Sequence, residues 1–333
     1  MTKEAWKTIV SWVVVVVVLL SLPLGTLAYV SQDGGGAKDS VYVVVPHPDD
    51  EFQAWSLIEN KSSEYKVFVS LTRGEGTRFC EPENMEEALQ EDLGEVRPYP
   101  SPAGKRTPSC EMARSASLIG FLEQMSLTDD TIPGDFGSMK TYAVQHEGDV
   151  EPCRPDSVKE GEQDCSATAR EVRVWLDQEG RGAVLVFNLG DGDLSQEEAQ
   201  WAVEAVLEEG HEWGIPSGGL PPTLIAGFSN YDSDKCYRYK HGDHYATERA
   251  LYDVDYGVGA QLGATCFADP RRSLTAVVSS KAVRAAFQVE EDGQRTGAHG
   301  VHYGWLHAET YPIAHWRQSS LFHRIQSFWV RFG

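Results

Sequence analysis

Residues 41–45, "VYVVV", form the feature that most constrains this chain: a continuous, β-branched apolar run with no alternation. A strand with one wet face alternates apolar and polar residues. A strand without alternation is covered on both faces, the usual state inside a parallel sheet. The run passes straight into Pro46, His47, Pro48, Asp49, Asp50 and Glu51, so three acids and an imidazole stand at the end of the most apolar strand. In an open parallel sheet, ligands bind beyond the carboxyl ends of strands.

The rest of the pattern supports an α/β chain. A helix is predicted from Glu51 to about Leu57 and a strand, "YKVFVSLT", over 65–72, which gives strand, helix and strand within one βαβ length. A short acidic helix is expected over 84–95 and another helix over 111–125, followed by a loop-rich stretch over 128–165. "ATAREVRVWLDQEG" reads as a helix ended by Gly180, and "AVLVFNLG" as a buried strand. "LSQEEAQWAVEAVLEEG" carries a capping box, Ser195 with Glu198, and a terminating Gly210. A strand over 223–229 and a helix over 244–256 follow, and beyond Ala285 the pattern weakens. The fold class expected is a Rossmann-like, doubly wound, mostly parallel sheet with helices on both faces, a three-layer α/β/α arrangement.

Residues 1–30 are read as a targeting segment. Lys3 and Lys7 precede an almost wholly apolar run, and the small-residue ending at Ala28 suits a cleaved signal peptide. The apolar run also approaches the length of an uncleaved membrane anchor. Both readings put the remainder outside the cytoplasm, as a secreted or membrane-anchored protein with an extracytoplasmic catalytic domain. Residues 31–40 read as a Gly-rich linker, and 41–333 as one domain with a less recognisable extension from about 266. A net charge of −21 repels nucleic acid, which is excluded as a partner, and contact with a membrane is expected only through the N-terminal segment. Six cysteines form no CxxC pair. Outside the cytoplasm they favour disulfides, Cys153 with Cys165 being one pairing, although burial as free thiols is the alternative.

The chemistry gathers in two motifs. His47 and Asp50 are three apart and project from one side of a first helical turn, where they could share a metal ion, with Asp49 pointing elsewhere. A further ligand is expected from "KHGDHYATERA", where His241, Asp243 and His244 cluster between a strand and a helix. Two His and one Asp at a metal, with a spare carboxylate beside its water, suit hydrolysis of a carbonyl compound.

His47, Pro48, Asp49, Asp50 and Glu51 after a buried strand look like the signature of the LmbE-like or PIG-L family of zinc-dependent N-deacetylases, and "HGDH" resembles its second motif. The resemblance implies a Rossmann-like fold with one zinc ion held by His47, Asp50 and His244. It implies Asp49 as general base and His241 as stabiliser of the oxyanion or proton donor to the amine, with Asp243 orienting it. Glu51 is left to brace the helix start. "SLTRGEGTR" is similar to the family's substrate loop, and "EMARSASLIGFL" resembles its Arg-bearing helix, so Arg73, Glu75 and Arg114 are carried over as substrate-binding residues. Gly242 stands where the second motif often has Pro. The substrate implied is an N-acetylglucosamine-type sugar or glycoconjugate.

Other readings stay beside this one. Three acids at a helix start also serve as caps, though capping gives no reason for His47. His-x-Asp with a distant His also describes an Fe(II) facial triad, which gives no reason for the second Asp. An amidase acting on another N-acyl substrate and a non-catalytic, metal-dependent carbohydrate binder are the alternative functions. The segment "HGVHYGWLHAETYPIAHWR" suggests a second metal site but reads more simply as packed aromatic structure with locally bonded histidines.

Overall fold

The computed structural model describes residues 39–77, 80, 104–147, 170–217, 222–226, 241–288, 290–291, 296–303 and 324–333. The targeting segment, the acidic helix over 84–95 and the Cys153–Cys165 pairing lie outside these residues.

Nine strands form one sheet: β1 (Asp39–Val45), β2 (Glu64–Thr72), β3 (Lys140–Ala143), β4 (Glu171–Leu176), β5 (Gly182–Leu189), β6 (Thr223–Ala226), β7 (Ala260–Thr265), β8 (Leu274–Val277) and β9 (Ile325–Phe332). Their order is β3-β4-β5-β2-β1-β6-β7-β9-β8. The five central strands are parallel, and the two strands at either edge join antiparallel. From β1 the chain steps outward through β2 to β5 on one side and through β6 to β7 on the other. β1 therefore lies at the centre of the parallel strands, and in open α/β sheets ligands bind beyond the carboxyl ends of such strands.

The lack of alternation in 41–45 has its expected cause. Val41, Val43 and Val45 enter one core, and Tyr42 and Val44 the other. The first core is closed by α1 (Trp55–Ile58), α2 (Pro108–Ser126), α5 (Ser280–Phe287) and α6 (Ala298–Tyr303), and the second by α3 (Gln196–Glu209) and α4 (Gly242–Asp253). The architecture is three-layer α/β/α. Each fully buried Val in β1 contributes about 1.5–3 kcal/mol relative to exposure, so the strand is a stiff support for the turn that follows.

Local signals act as the sequence implies in most of these elements. Thr107 caps α2 by accepting from the Cys110 amide, with Pro108 in the first turn. The Ser195–Glu198 capping box of α3 is present, with Gly210 at its end. Asp39 and Ser40, read with the linker over 31–40, belong to β1.

The segment 167–180 is corrected: Glu171–Leu176 is strand β4, not helix. Val172 and Val174 are fully buried, and Arg173 between them donates from Nη2 to the Glu111 carboxylate at 2.7 Å. Helical spacing over the longer window hid this period of two. Gly180 ends no helix; at φ 66° it closes the hairpin between β4 and β5. Strand β3 lies within a stretch read as loop, and its short, exposed residues give little periodicity. Cys80 and Cys110 form a disulfide across a sequence separation of 30, and Cys266 is also disulfide-bonded.

Asp177 organises the hairpin. Its carboxylate accepts from the amides of Gly134, Asp135 and Arg181 at 2.8–3.0 Å and from Arg181 Nε and Nη2 at 3.0 and 2.7 Å. Burial alone raises its pKa, but Arg181 and the backbone donors outweigh that and hold it at about 2. Its stabilisation is therefore present above the unfolded carboxylate pKa and lost as pH falls toward 2. Asp177→Ala is expected to lower unfolding free energy by about 2 kcal/mol at pH 7. Urea unfolding at pH 7 and near pH 2 checks this: the gap between wild type and variant narrows in acid.

Candidate metal centre

The turn after β1 is built by hydrogen bonds to its own backbone. The Pro46 carbonyl accepts from the Thr72 amide at 3.0 Å and the Thr72 hydroxyl at 2.8 Å, which ties the ends of β1 and β2 together. The Asp50 amide reaches back to the His47 carbonyl at 3.4 Å, and a 3-10 turn over Glu51–Ala54 leads into α1. Asp49 has φ 146°, a region that L residues rarely adopt. Its amide donates to Glu51 Oε2 at 3.1 Å, and its carboxylate accepts from Arg114 Nη2 at 2.9 Å. Arg114 passes close to the loop after β2, and a Cβ on Gly74 would stand 2.7 Å from its Nε and 2.9 Å from Pro48 Cδ. Gly74, at φ 63°, is needed for both its backbone shape and that approach.

His47 sits at the middle of the cluster. Its Nδ1 lies 3.4 Å from Asp50 Oδ2, and its Nε2 lies 3.0 Å from Asp243 Oδ2 and 3.2 Å from Asp191 Oδ1. Asp50 Oδ2 is also 3.6 Å from His244 Nε2. His47, His241 and His244 each offer a nitrogen within 4.8 Å of the others, as do ligand atoms of His47, Asp191, His241 and Asp243, and of His47, Asp49 and Asp50. These are buried His/Asp groupings able to hold a metal ion. Asp50 Oδ2 is buried without a hydrogen bond, although two imidazole nitrogens face it. A cation between the three groups would satisfy it, so the residues fit a metal.

The electrostatics follow from crowding. Burial lowers the pKa of His47, but Asp191, Asp243 and Asp50 outweigh it and hold the group well above its ordinary value. Burial and the neighbouring His47 push His244 well below the ordinary value, and burial lowers His241 as well. Burial raises Asp49 to about 6 against the pull of Arg114. Asp191 is depressed because the charge and hydrogen bond of His47 overcome its burial. Burial and Asp191 raise Glu75 to about 8.

His47, Asp49, Asp50, Asp243 and His244 all lie in this cluster with Arg114 behind it, and the half-buried His241 stands on its more open side. Asp243 Oδ2 is 3.9 Å from His241 Nδ1 and nearer to His47; it also accepts from the Gly192 and Leu194 amides at 2.8 and 3.2 Å. Glu75 reaches the cluster through the Asp191 amide at 3.4 Å. Arg73 is drawn away from it: Nη1 donates to Glu111 at 2.7 Å and Nη2 to Glu171. His299 and His302 enter none of the metal-holding groupings found among the described residues. His302 pairs instead with Gln124 at 3.0 Å.

Sequence reasoning missed two participants. Asp191 follows a buried strand in "FNLGDG", and the strand-end logic that singled out Asp49 applies to it equally. Tyr303 carried no such signal. Its hydroxyl donates to Glu51 Oε1 at 2.9 Å, so Glu51 holds Tyr303 with one oxygen and the Asp49 amide with the other. Burial, with Asp49 nearby, raises the Glu51 carboxyl to about 8.

Comparison of the sequence with protein-family models and with curated proteins, and of the fold with solved structures, found no match.

Tyr303→Phe removes one donor from a buried carboxyl and is expected to cost about 1–2 kcal/mol. Glu51→Ala should cost more, because it strands both the hydroxyl and the strained Asp49 amide. Denaturant unfolding of the two variants tests the order, and wild-type stability in Tyr303→Phe would contradict the contact.

Proposed function

We propose that this chain is an extracytoplasmic zinc-dependent hydrolase that removes the N-acetyl group from an N-acetylglucosamine-type sugar or glycoconjugate. The observation that carries the reading is Asp50 Oδ2, buried without a hydrogen bond between His47 Nδ1 and His244 Nε2, with the Asp49 carboxylate beside it. The motif resemblance to LmbE-like and PIG-L deacetylases supplies the choice of substrate. The disulfides at Cys80–Cys110 and Cys266 support an oxidising compartment.

His47, Asp50 and His244 would hold the zinc, a donor set of two nitrogens and one oxygen that suits it. A bound zinc supplies Lewis acidity toward a carbonyl oxygen and makes water more acidic. Asp49 takes a proton from the water that attacks the amide carbonyl. With its pKa raised to about 6, it is ionised at neutral pH yet more basic than an ordinary carboxylate. Arg114 and the Glu51 clamp fix its direction. His241, kept neutral by burial, donates a hydrogen bond to the carbonyl oxygen as negative charge develops there. Asp49 then returns its proton to the departing nitrogen, and the C–N bond breaks to give acetate and the amine. Glu75, beside Asp191, would meet sugar hydroxyls, whereas Arg73 serves that loop through its pairing with Glu111.

Two substitutions separate base from ligand. Asp49→Asn is expected to lower acetate release by at least about 100-fold while zinc content, read by elemental analysis, stays at the wild-type level. His244→Ala should lose zinc. Acetate release measured on N-acetyl sugars and on other N-acylated amines identifies the substrate class. A wild-type protein that carries zinc yet releases no acetate from any of them would leave a metal-binding protein rather than an enzyme.

A further inference from the structure

We propose that Asp191 is a positioning residue for His47: it holds the Nε2–H of the imidazole so that Nδ1 faces Asp50, and it links the loop after β2, through Gly76, to that imidazole. This rests on the reading of His47, Asp50 and His244 as metal ligands.

Two carboxylate oxygens face the same ring nitrogen, Asp243 Oδ2 at 3.0 Å and Asp191 Oδ1 at 3.2 Å from His47 Nε2. Ionised carboxylates only accept, so that nitrogen must carry hydrogen. A His47 that ligates a metal is therefore the Nε2–H tautomer, with its Nδ1 lone pair turned toward Asp50 Oδ2, 3.4 Å away. A lone pair and a carboxylate oxygen facing each other repel unless a proton or a metal cation lies between them, and in a metal ligand it is the metal that takes that place. Carboxylate groups that accept the distal N–H of a ligating histidine fix its tautomer and ring orientation.

Asp243 and Asp191 do not duplicate each other. Asp243 comes from the first turn of α4, and its oxygens also receive the Gly192 and Leu194 amides. Asp191 comes from the loop after β5, and its second oxygen accepts the Gly76 amide at 2.6 Å. A Cβ on Gly76 would stand 3.1 Å from the Asp191 carboxylate, closer than most side chains tolerate. The Asp191 amide in turn donates to Glu75 Oε1 at 3.4 Å. Loops from the ends of three strands, β1, β2 and β5, thus meet on one carboxylate that is itself buried.

The test is zinc affinity of the full chain, measured by competition with a chromophoric chelator, in a double-mutant cycle of Asp191→Asn with His47→Ala. Asp191→Asn alone is expected to weaken zinc binding by about 10–100-fold and to shift the cobalt(II) absorption bands of the substituted protein. In the His47→Ala background, titrated at zinc concentrations high enough to load the weakened site, it should change affinity by less than about 3-fold, because the group it positions is gone. Should Asp191→Asn not fold, Asp191→Glu keeps the charge while displacing it, and should weaken zinc several-fold in the wild-type background only. Unchanged affinity, or an equal loss in both backgrounds, overturns the role of Asp191 and leaves the metal reading standing. A wild-type chain that binds no zinc overturns both.

Discussion

Like charges withheld from water repel one another, and this site gathers the buried Asp49, Asp50, Asp191 and Asp243 around one imidazole, with Glu51 against the Asp49 amide. Such a cluster persists only where each oxygen is answered by a donor, a cation or a proton. The answers are distributed by position. Backbone amides meet Asp191 and Asp243, Arg114 meets Asp49, and Glu51 accepts from an amide and a phenol. His47 stands between the two sides, with a nitrogen toward each. Asp50 Oδ2 is left with imidazole nitrogens and no hydrogen bond, and the whole arrangement points to a positive centre at that atom.

The scaffold explains why the crowding can be tolerated. β1 is sealed on both faces by apolar side chains, so its direction is fixed as it leaves the sheet. Thr72 pins the Pro46 carbonyl, and the turn beyond it has little freedom to relax away from its charges. Asp49 accepts an unfavourable φ because Glu51 and Arg114 hold it from two directions. Strain of this kind persists where surrounding structure over-determines a residue, and such residues concentrate at functional sites.

What could be read from sequence divides along the range of the interactions. Continuous apolar runs disclosed β1, β2 and β5, helical spacing disclosed α2, and a capping box disclosed α3, because those signals lie within a few residues. The edge strands were less legible. β4 carries an alternating pattern only six residues long inside a window with helical spacing, and Arg173 reads as a surface charge until Glu111, 62 positions away, is known to meet it. Four of the five parallel strands, β1, β2, β5 and β6, were legible, whereas β7 and the antiparallel flanks were not, since strands completed by distant residues such as 325–332 announce no partner.

The same distinction applies to the cluster itself. His47, Asp49, Asp50, His241, Asp243 and His244 sit in two short motifs at strand ends, and motif chemistry brought them to notice together. Their pairing was not visible at that level: Asp243 lies closer to His47 than to its neighbour in the motif, His241. Arg73 reads from the motif as a substrate-binding residue, but two acids from α2 and β4 are where its guanidinium goes. Tyr303 lies 252 positions from the carboxyl it supports. A motif names the groups able to do chemistry; which of them is turned toward a ligand, and which toward another part of the fold, is set by donors that the motif does not contain.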